Sequence, residues 1–130
     1  MDAYRSYIEA WQKRLRQERE ALDQAAQQAR EQAQVCAKAL VEEYGAERVY
    51  LIGSLARGSG FHPRSDIDLV VSGIAPERYF AVLADIAERA SREVDLILLE
   101  SATPALLEYV ANEGVLLYEC TEIPAAASGH

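Results

Sequence analysis

Residues 49–71 read VYLIGSLARGSGFHPRSDIDLVV, and the fold turns on how this stretch is parsed. An apolar, β-branched run ends at Gly53-Ser54, a Gly-rich basic loop follows, and a second apolar run begins through the alternation Asp66-Ile67-Asp68-Leu69. The pattern predicts a strand, a turn and another strand. Side chains two apart on a strand share a face, so Asp66 and Asp68 project together while Ile67 and Leu69 enter the core. Two such carboxylates repel each other, which raises the pKa of one of them unless a cation sits between them. A hard divalent ion with oxygen ligands suits that place, and Mg²⁺ keeps coordination positions open for substrate phosphates.

Gly53 lacks a Cβ, so the backbone can turn sharply there and a ligand can come close. Ser54 adds a hydroxyl at the predicted start of a short helix. Backbone N–H groups at such a turn suit phosphate. Between Ser54 and Asp66 the loop carries Arg57 and Arg64 and no acid. Arg57 and Ser65 join Gly53 and Ser54 as candidate phosphate contacts, with Arg64 as another cation for the leaving charge. An arginine in an exposed loop serves equally as a solvated residue or a structural clamp.

Taken together, Gly53-Ser54, eleven intervening residues and Asp66-Ile67-Asp68 resemble the signature of the minimal nucleotidyltransferases, small members of the DNA polymerase β-like nucleotidyltransferase superfamily. The run Val94-Asp95-Leu96-Ile97-Leu98-Leu99 supplies Asp95 in the context of that family's third carboxylate. Residues 113–119 resemble the end of the domain, so the likeness spans about residues 33–119. A lone Gly-Ser or a lone Asp-x-Asp is weak, whereas the three-part combination is specific. Taken singly, each acid is most simply a solvated strand position. Three of them at strand beginnings, where Asp is disfavoured, point to a site.

The resemblance implies an α+β fold: a mixed β-sheet of about four strands with helices packed on it, the palm-like nucleotidyltransferase fold, here preceded by a long N-terminal helix. It implies Mg²⁺-dependent transfer of a nucleoside monophosphate, AMP from ATP or the equivalent from another nucleoside triphosphate. Asp66, Asp68 and Asp95 would be the catalytic residues and the ligands of two ions, and Asp95 would also take the acceptor's proton. Small proteins of this family resemble the antitoxin half of a pair whose other half is an all-helical HEPN toxin, so the implied acceptor is a hydroxyl on a protein partner. Two further readings are a non-catalytic module that neutralises a partner sterically and an aminoglycoside nucleotidyltransferase. The three intact carboxylates argue against the first, and the lack of room for a second substrate-binding domain argues against the second unless a dimer supplies one.

With 130 residues, half of them apolar, the chain is expected to form one domain. No apolar run approaches the ~18 residues of a membrane span and no signal peptide opens the sequence, so a cytoplasmic location is expected. Cys36 and Cys120 read as free thiols, and neither they nor His62 and His130 have metal-ligand spacing. Residues 1–30 hold six basic and five acidic side chains, so the rest carries the whole net charge of −8 and one negative charge more. Such a surface repels polyanions, and long nucleic acid is not expected as a substrate.

From Asp2 to Tyr44 there is no Gly or Pro, and apolar residues recur at Tyr4, Ile8, Trp11, Leu15, Leu22, Ala25, Ala29, Ala33, Cys36, Leu40 and Tyr44. This predicts an amphipathic helix stopping at Gly45, about 60 Å long if continuous. Covering a sheet requires only its second half. Residues 25–120 are therefore the expected catalytic core. Residues 1–24 form an extension whose Tyr4, Tyr7, Ile8, Trp11 and Leu15 would contact a protein partner or a second copy. The alternative is a hairpin broken between Glu18 and Asp23, with the stripe as core. Further on, the expected elements are a helix over 77–90 burying Tyr79, Phe80, Leu83, Ile86, Ala87 and Ala90, a strand over 93–99, a helix over 104–112 and a strand over 115–118. Residues 121–130 are an expected flexible tail. The strand, helix, strand succession predicts a right-handed crossover with parallel strands, placing Asp95 beside Asp66 and Asp68.

Overall fold

The computed structural model describes residues 2–58, 61–62 and 65–121, so Pro63, Arg64, His130 and the tail beyond Thr121 lie outside the described residues. Helix α1 (Asp2–Glu42) runs unbroken for 41 residues, with no hairpin between Glu18 and Asp23. Good helix formers without Gly or Pro leave nothing to interrupt it. It closes at Gly45, whose φ of +78° suits glycine and whose N–H donates to the Val41 carbonyl.

All side chains over residues 9–24 are exposed, and burial starts at Ala25 and Ala26. From there Ala29, Ala33, Cys36, Ala37 and Leu40 are fully buried. Four of these five are small, which lets the helix lie close on the sheet. Burial pushes the Cys36 thiol up to about 11, so it behaves as an unreactive core residue.

The remaining elements follow in order: β1 (Arg48–Ile52), α2 (Ser54–Arg57), β2 (Ile67–Ser72), a 3₁₀ turn (Pro76–Arg78), α3 (Tyr79–Ala90), β3 (Val94–Leu98), a second 3₁₀ turn (Leu99–Ser101), α4 (Pro104–Glu113) and β4 (Val115–Glu119). The sheet order is β3-β2-β1-β4, with β1 antiparallel to both neighbours and β2 parallel to β3. This is the expected mixed four-stranded sheet with a long leading helix.

The two faces of the sheet are covered unequally. Ile67, Leu69, Val71 and Leu96 turn to one side and pack with the second half of α1 and with Val82, Ile86 and Ala90 of α3. Each large aliphatic side chain buried there is worth about 1.5–3 kcal/mol, so this layer dominates stability. The other face is covered more thinly, by α4 through Val110 on Ile52 and Val70, with Leu106, Tyr109 and Leu99 of the second 3₁₀ turn at the margin. Thr103 caps α4 by accepting from the Leu106 N–H at 3.2 Å, and Pro104 takes its first turn.

One expected core residue is on the surface. Phe80 is 82% exposed and lies edge-on to Tyr79 at 5.2 Å, and the buried positions of α3 are Val82, Ile86 and Ala90 at steps of four. Two residues before Val82, Phe80 falls on the opposite side of the helix.

A polar clasp joins α1 to α3. Arg89 forks onto Glu43 at 2.6 and 2.8 Å and reaches Asp85 at 3.1 Å, while the Tyr44 hydroxyl donates to Asp85. Donation from Arg89 lowers the pKa of Glu43, and donation from Tyr44 and then Arg89 lowers that of Asp85. Folded-state values below the unfolded ones mean that this contribution is complete above about pH 4–5, where the unfolded carboxylates are ionised. It disappears as pH falls through the depressed folded values. Arg89→Ala is therefore expected to lower stability at neutral pH, to cost progressively less as pH falls, and so to flatten the acid limb of a stability-versus-pH curve. Denaturation at pH 3, 5 and 7 checks this. Among the described residues no helix is long and apolar enough to cross a membrane.

Candidate active site

The parallel pairing of β2 with β3 sets Asp68 directly beside Asp95, and the antiparallel pairing of β1 with β2 sets Asp68 opposite Ile52, next to Gly53. Cross-strand partners share a face, so Asp68 and Asp95 lie on the α4 side of the sheet together with Ile52 and Val70. Asp66 directly precedes β2, and its charge acts on Asp68. The helical layer of α1 and α3 occupies the opposite face. Asp68 and Asp95 thus stand on the thinly covered side, at the rim where β2 and β3 begin and β1 ends, with Asp66 at the entry to β2.

Gly53 has φ +84° and ψ −160°, a conformation that only glycine adopts readily. A Cβ there would stand 2.5 Å from Asp68 Oδ2. The missing side chain therefore does two things. It permits the turn out of β1 into α2, and it leaves the space that the Asp68 carboxylate occupies. Ser54 opens α2 and is half-buried, and Leu55 behind it anchors the turn in the core at 2% exposure.

Asp66 and Asp95 are exposed while Asp68 is half-buried. Burial first, then the charges of Asp95 and Asp66, raise the pKa of Asp68. The rim is thus a concentration of negative charge that no lysine or arginine of the chain neutralises through an ion pair at Asp68, among the described contacts. Among the described residues no three His, Cys, Asp or Glu side chains are drawn into a closed metal cage. The donor set nevertheless fits a hard cation that takes some oxygens from the protein and the rest from a phosphate ligand. It offers carboxylate oxygens only, and the charges of Asp95 and Asp66 act against that of Asp68.

The other candidates sit in the connecting loop. Arg57 Nη1 donates to the Tyr109 hydroxyl of α4 at 3.2 Å, tying α2 to the helix that covers this face. The Ser65 hydroxyl accepts from the His62 N–H at 3.0 Å, the Ser65 N–H donates to the His62 carbonyl, and the Ser65 carbonyl accepts from Arg92. Arg92 also donates to Gln32 and lies over the Phe61 ring at 5.7 Å, so it holds the end of the loop against α1. Ser65 is thereby placed one residue from Asp66 in a braced turn. Sequence reasoning did not single out Tyr109 or Arg92. Both act through partners 27 to 60 residues away, and nothing local in the sequence signals such contacts.

Comparisons with known proteins agree with this fold. Residues 34–123 match the family model described as polymerase beta, nucleotidyltransferase. Similar solved structures include a toxin–antitoxin complex with AMP-PNP, at 24% identity and TM-score 0.58 over 68% of this chain and 74% of that one. A minimal nucleotidyltransferase matches at 27% identity and TM-score 0.54, over 64% and 87% of the two chains. A Shewanella oneidensis structure of a tri-AMPylated HEPN toxin with its MNT antitoxin matches at 20% identity and TM-score 0.52, over 73% of each chain. No curated protein matches the chain.

Proposed function

Because the chain belongs to the polymerase β nucleotidyltransferase family, we propose that it transfers AMP from ATP to a hydroxyl of a protein partner, as the antitoxin of a HEPN-type pair. The observation that carries this reading is the register Asp68 beside Asp95, with Asp66 one residue before the strand and the glycine-only turn at Gly53 against Asp68. The toxin–antitoxin structures of similar fold, one with AMP-PNP and one with an AMPylated toxin, support the nucleotide and the kind of partner.

In this reading the acceptor oxygen forms a bond to the α-phosphorus of ATP, and the bond from that phosphorus to the α,β-bridging oxygen breaks. Pyrophosphate leaves. Asp95 receives the hydroxyl proton, and the turn at Gly53 and Ser54 binds the phosphates, with Arg57 and Ser65 beside it. Asp66, Asp68 and Asp95 would hold Mg²⁺, which when bound neutralises charge on the triphosphate and makes the acceptor hydroxyl easier to deprotonate. With Asp66 and Asp95 exposed, the rim is within reach of a side chain presented on another protein's surface.

The test is incubation of the chain with α-labelled ATP, Mg²⁺ and the product of the neighbouring gene. Label is expected on that product, and the Asp66→Asn, Asp68→Asn double variant is expected to transfer none while keeping its circular dichroism. Neutralisation of the partner by the double variant, with no label moved by the wild type, would instead establish steric blocking.

A further inference from the structure

We infer that the N-terminal half of α1 is a docking arm for a helix of a partner protein whose apolar seam is flanked by carboxylates. This goes beyond the transfer reaction and does not depend on it. The arm lies outside the residues matched by the family model, which begin at 34.

Tyr4, Trp11, Leu15 and Leu22 are 70%, 52%, 42% and 40% exposed, although they are among the most apolar side chains of the chain. With the half-buried Ile8 they follow steps of four, three, four and seven, a 3.5-residue period that makes a narrow seam. The seam prolongs the strip formed by Ala26, Ala29, Ala33 and Leu40, which is buried under α3 and the sheet. The same side of one helix is therefore covered along its second half and bare along its first. Where the two halves meet, a groove of about 380 Å³ is lined on α1 by Leu22, Ala26, the two arginines Arg19 and Arg30 and one acid, Asp23, and on the other side by Gly58 and Phe61 from the loop after α2. A helix seated on the seam would end against the loop that borders the carboxylate rim.

Charge selects the occupant. The positions flanking the seam carry Arg5, Arg14 and Arg19 and no acid, whereas Glu9 and Glu20 lie on the far side of the helix. Pairing with a second copy sets arginine against arginine in either orientation, Arg14 with Arg19 in parallel or Arg5 with Arg19 in antiparallel register, and brings Glu18 into the seam twice. A lipid surface is also a poor fit. Residues 1–24 hold five basic and five acidic side chains and so have no net attraction to anionic headgroups, and the seam is narrower than the broad apolar face of a helix lying in a bilayer surface. A partner helix with glutamates beside its apolar seam complements both features.

The probes are two synthetic helices of about four heptads with Leu and Ile in the seam, one with Glu at the flanking positions and its twin with Lys. The chain's single tryptophan, Trp11, reports directly by a blue shift of its emission. The Glu helix is expected to bind the full chain at least about tenfold more tightly than the Lys helix, and less tightly as salt is raised. Tyr4→Ala with Leu15→Ala should weaken binding about thirtyfold, and Arg14→Glu with Arg19→Glu should reverse the preference between the twins. The chain alone should be monomeric by light scattering and should not sediment with phosphatidylcholine–phosphatidylserine vesicles. Equal or absent binding of the two helices overturns the proposal. So does a dimer dissolved by Leu15→Glu, or sedimentation with vesicles.

Discussion

Replacing Gly53 by alanine is expected to cost about 2–4 kcal/mol of stability and to lower any transferase activity about a hundredfold. Two independent effects act in the same direction. The backbone at φ +84° and ψ −160° lies where a side-chain-bearing residue is strained, and the new methyl group would stand 2.5 Å from Asp68 Oδ2. The strain loosens the exit from β1, and the contact drives the carboxylate away from Asp95. Urea denaturation measures the first effect, and label transfer at saturating ATP measures the second. An alanine variant as stable as the wild type would mean that the turn at Gly53 is not the hinge on which Asp68 is placed.

Asp68→Asn is expected to act in opposite directions on function and on stability. Transfer should fall by about 10²–10³-fold or more, because a ligand oxygen and its charge are lost where the phosphate charge must be balanced. Stability of the metal-free protein at pH 7 should rise. The sign follows from the raised pKa of Asp68, caused first by burial and then by Asp95 and Asp66. An acid whose folded pKa exceeds its unfolded pKa favours the folded state at low pH, and that advantage is lost as pH climbs from the unfolded value near 4 through the folded one. At neutral pH the wild type therefore carries an ionised, crowded carboxylate that asparagine relieves, a trade common at functional sites. Thermal melts in chelator should place the variant above the wild type, and added Mg²⁺ should raise the wild type more than the variant. A variant that melts lower in chelator would show that the Asp68 carboxylate is engaged in a stabilising contact.

The central motif was legible because its constraints are local. The alternation over 66–69 commits one face of β2 to the core and the other to acids, and Gly53 marks a turn that few other residues can make. The helical character of residues 2–44 was equally readable from the absence of Gly and Pro, whereas the pattern alone left a continuous helix and a hairpin broken between Glu18 and Asp23 both open. What escaped was phase and distance. The pattern predicts Phe80 as buried because a hydrophobic pattern without a known start can be rotated around the helix, and the 3₁₀ turn over Pro76–Arg78 sets where α3 begins. Arg57 with Tyr109, Arg92 with Ser65, and the place of β4 beside β1 join residues far apart in the chain. A single sequence does not encode such pairings in any local pattern.

The unbroken course of α1 makes it a ruler as well as a cover. Its far end is tied to the core through stiff backbone, so both the distance and the angular bearing of anything held at Trp11 relative to Gly53 are set by residue count alone. Adding one residue near Leu22 would swing that cargo by about 100° around the axis, whereas adding seven would carry it roughly 10 Å outward on nearly its original heading. Length variation in this segment would thus be tolerated in steps of whole heptads and penalised between them.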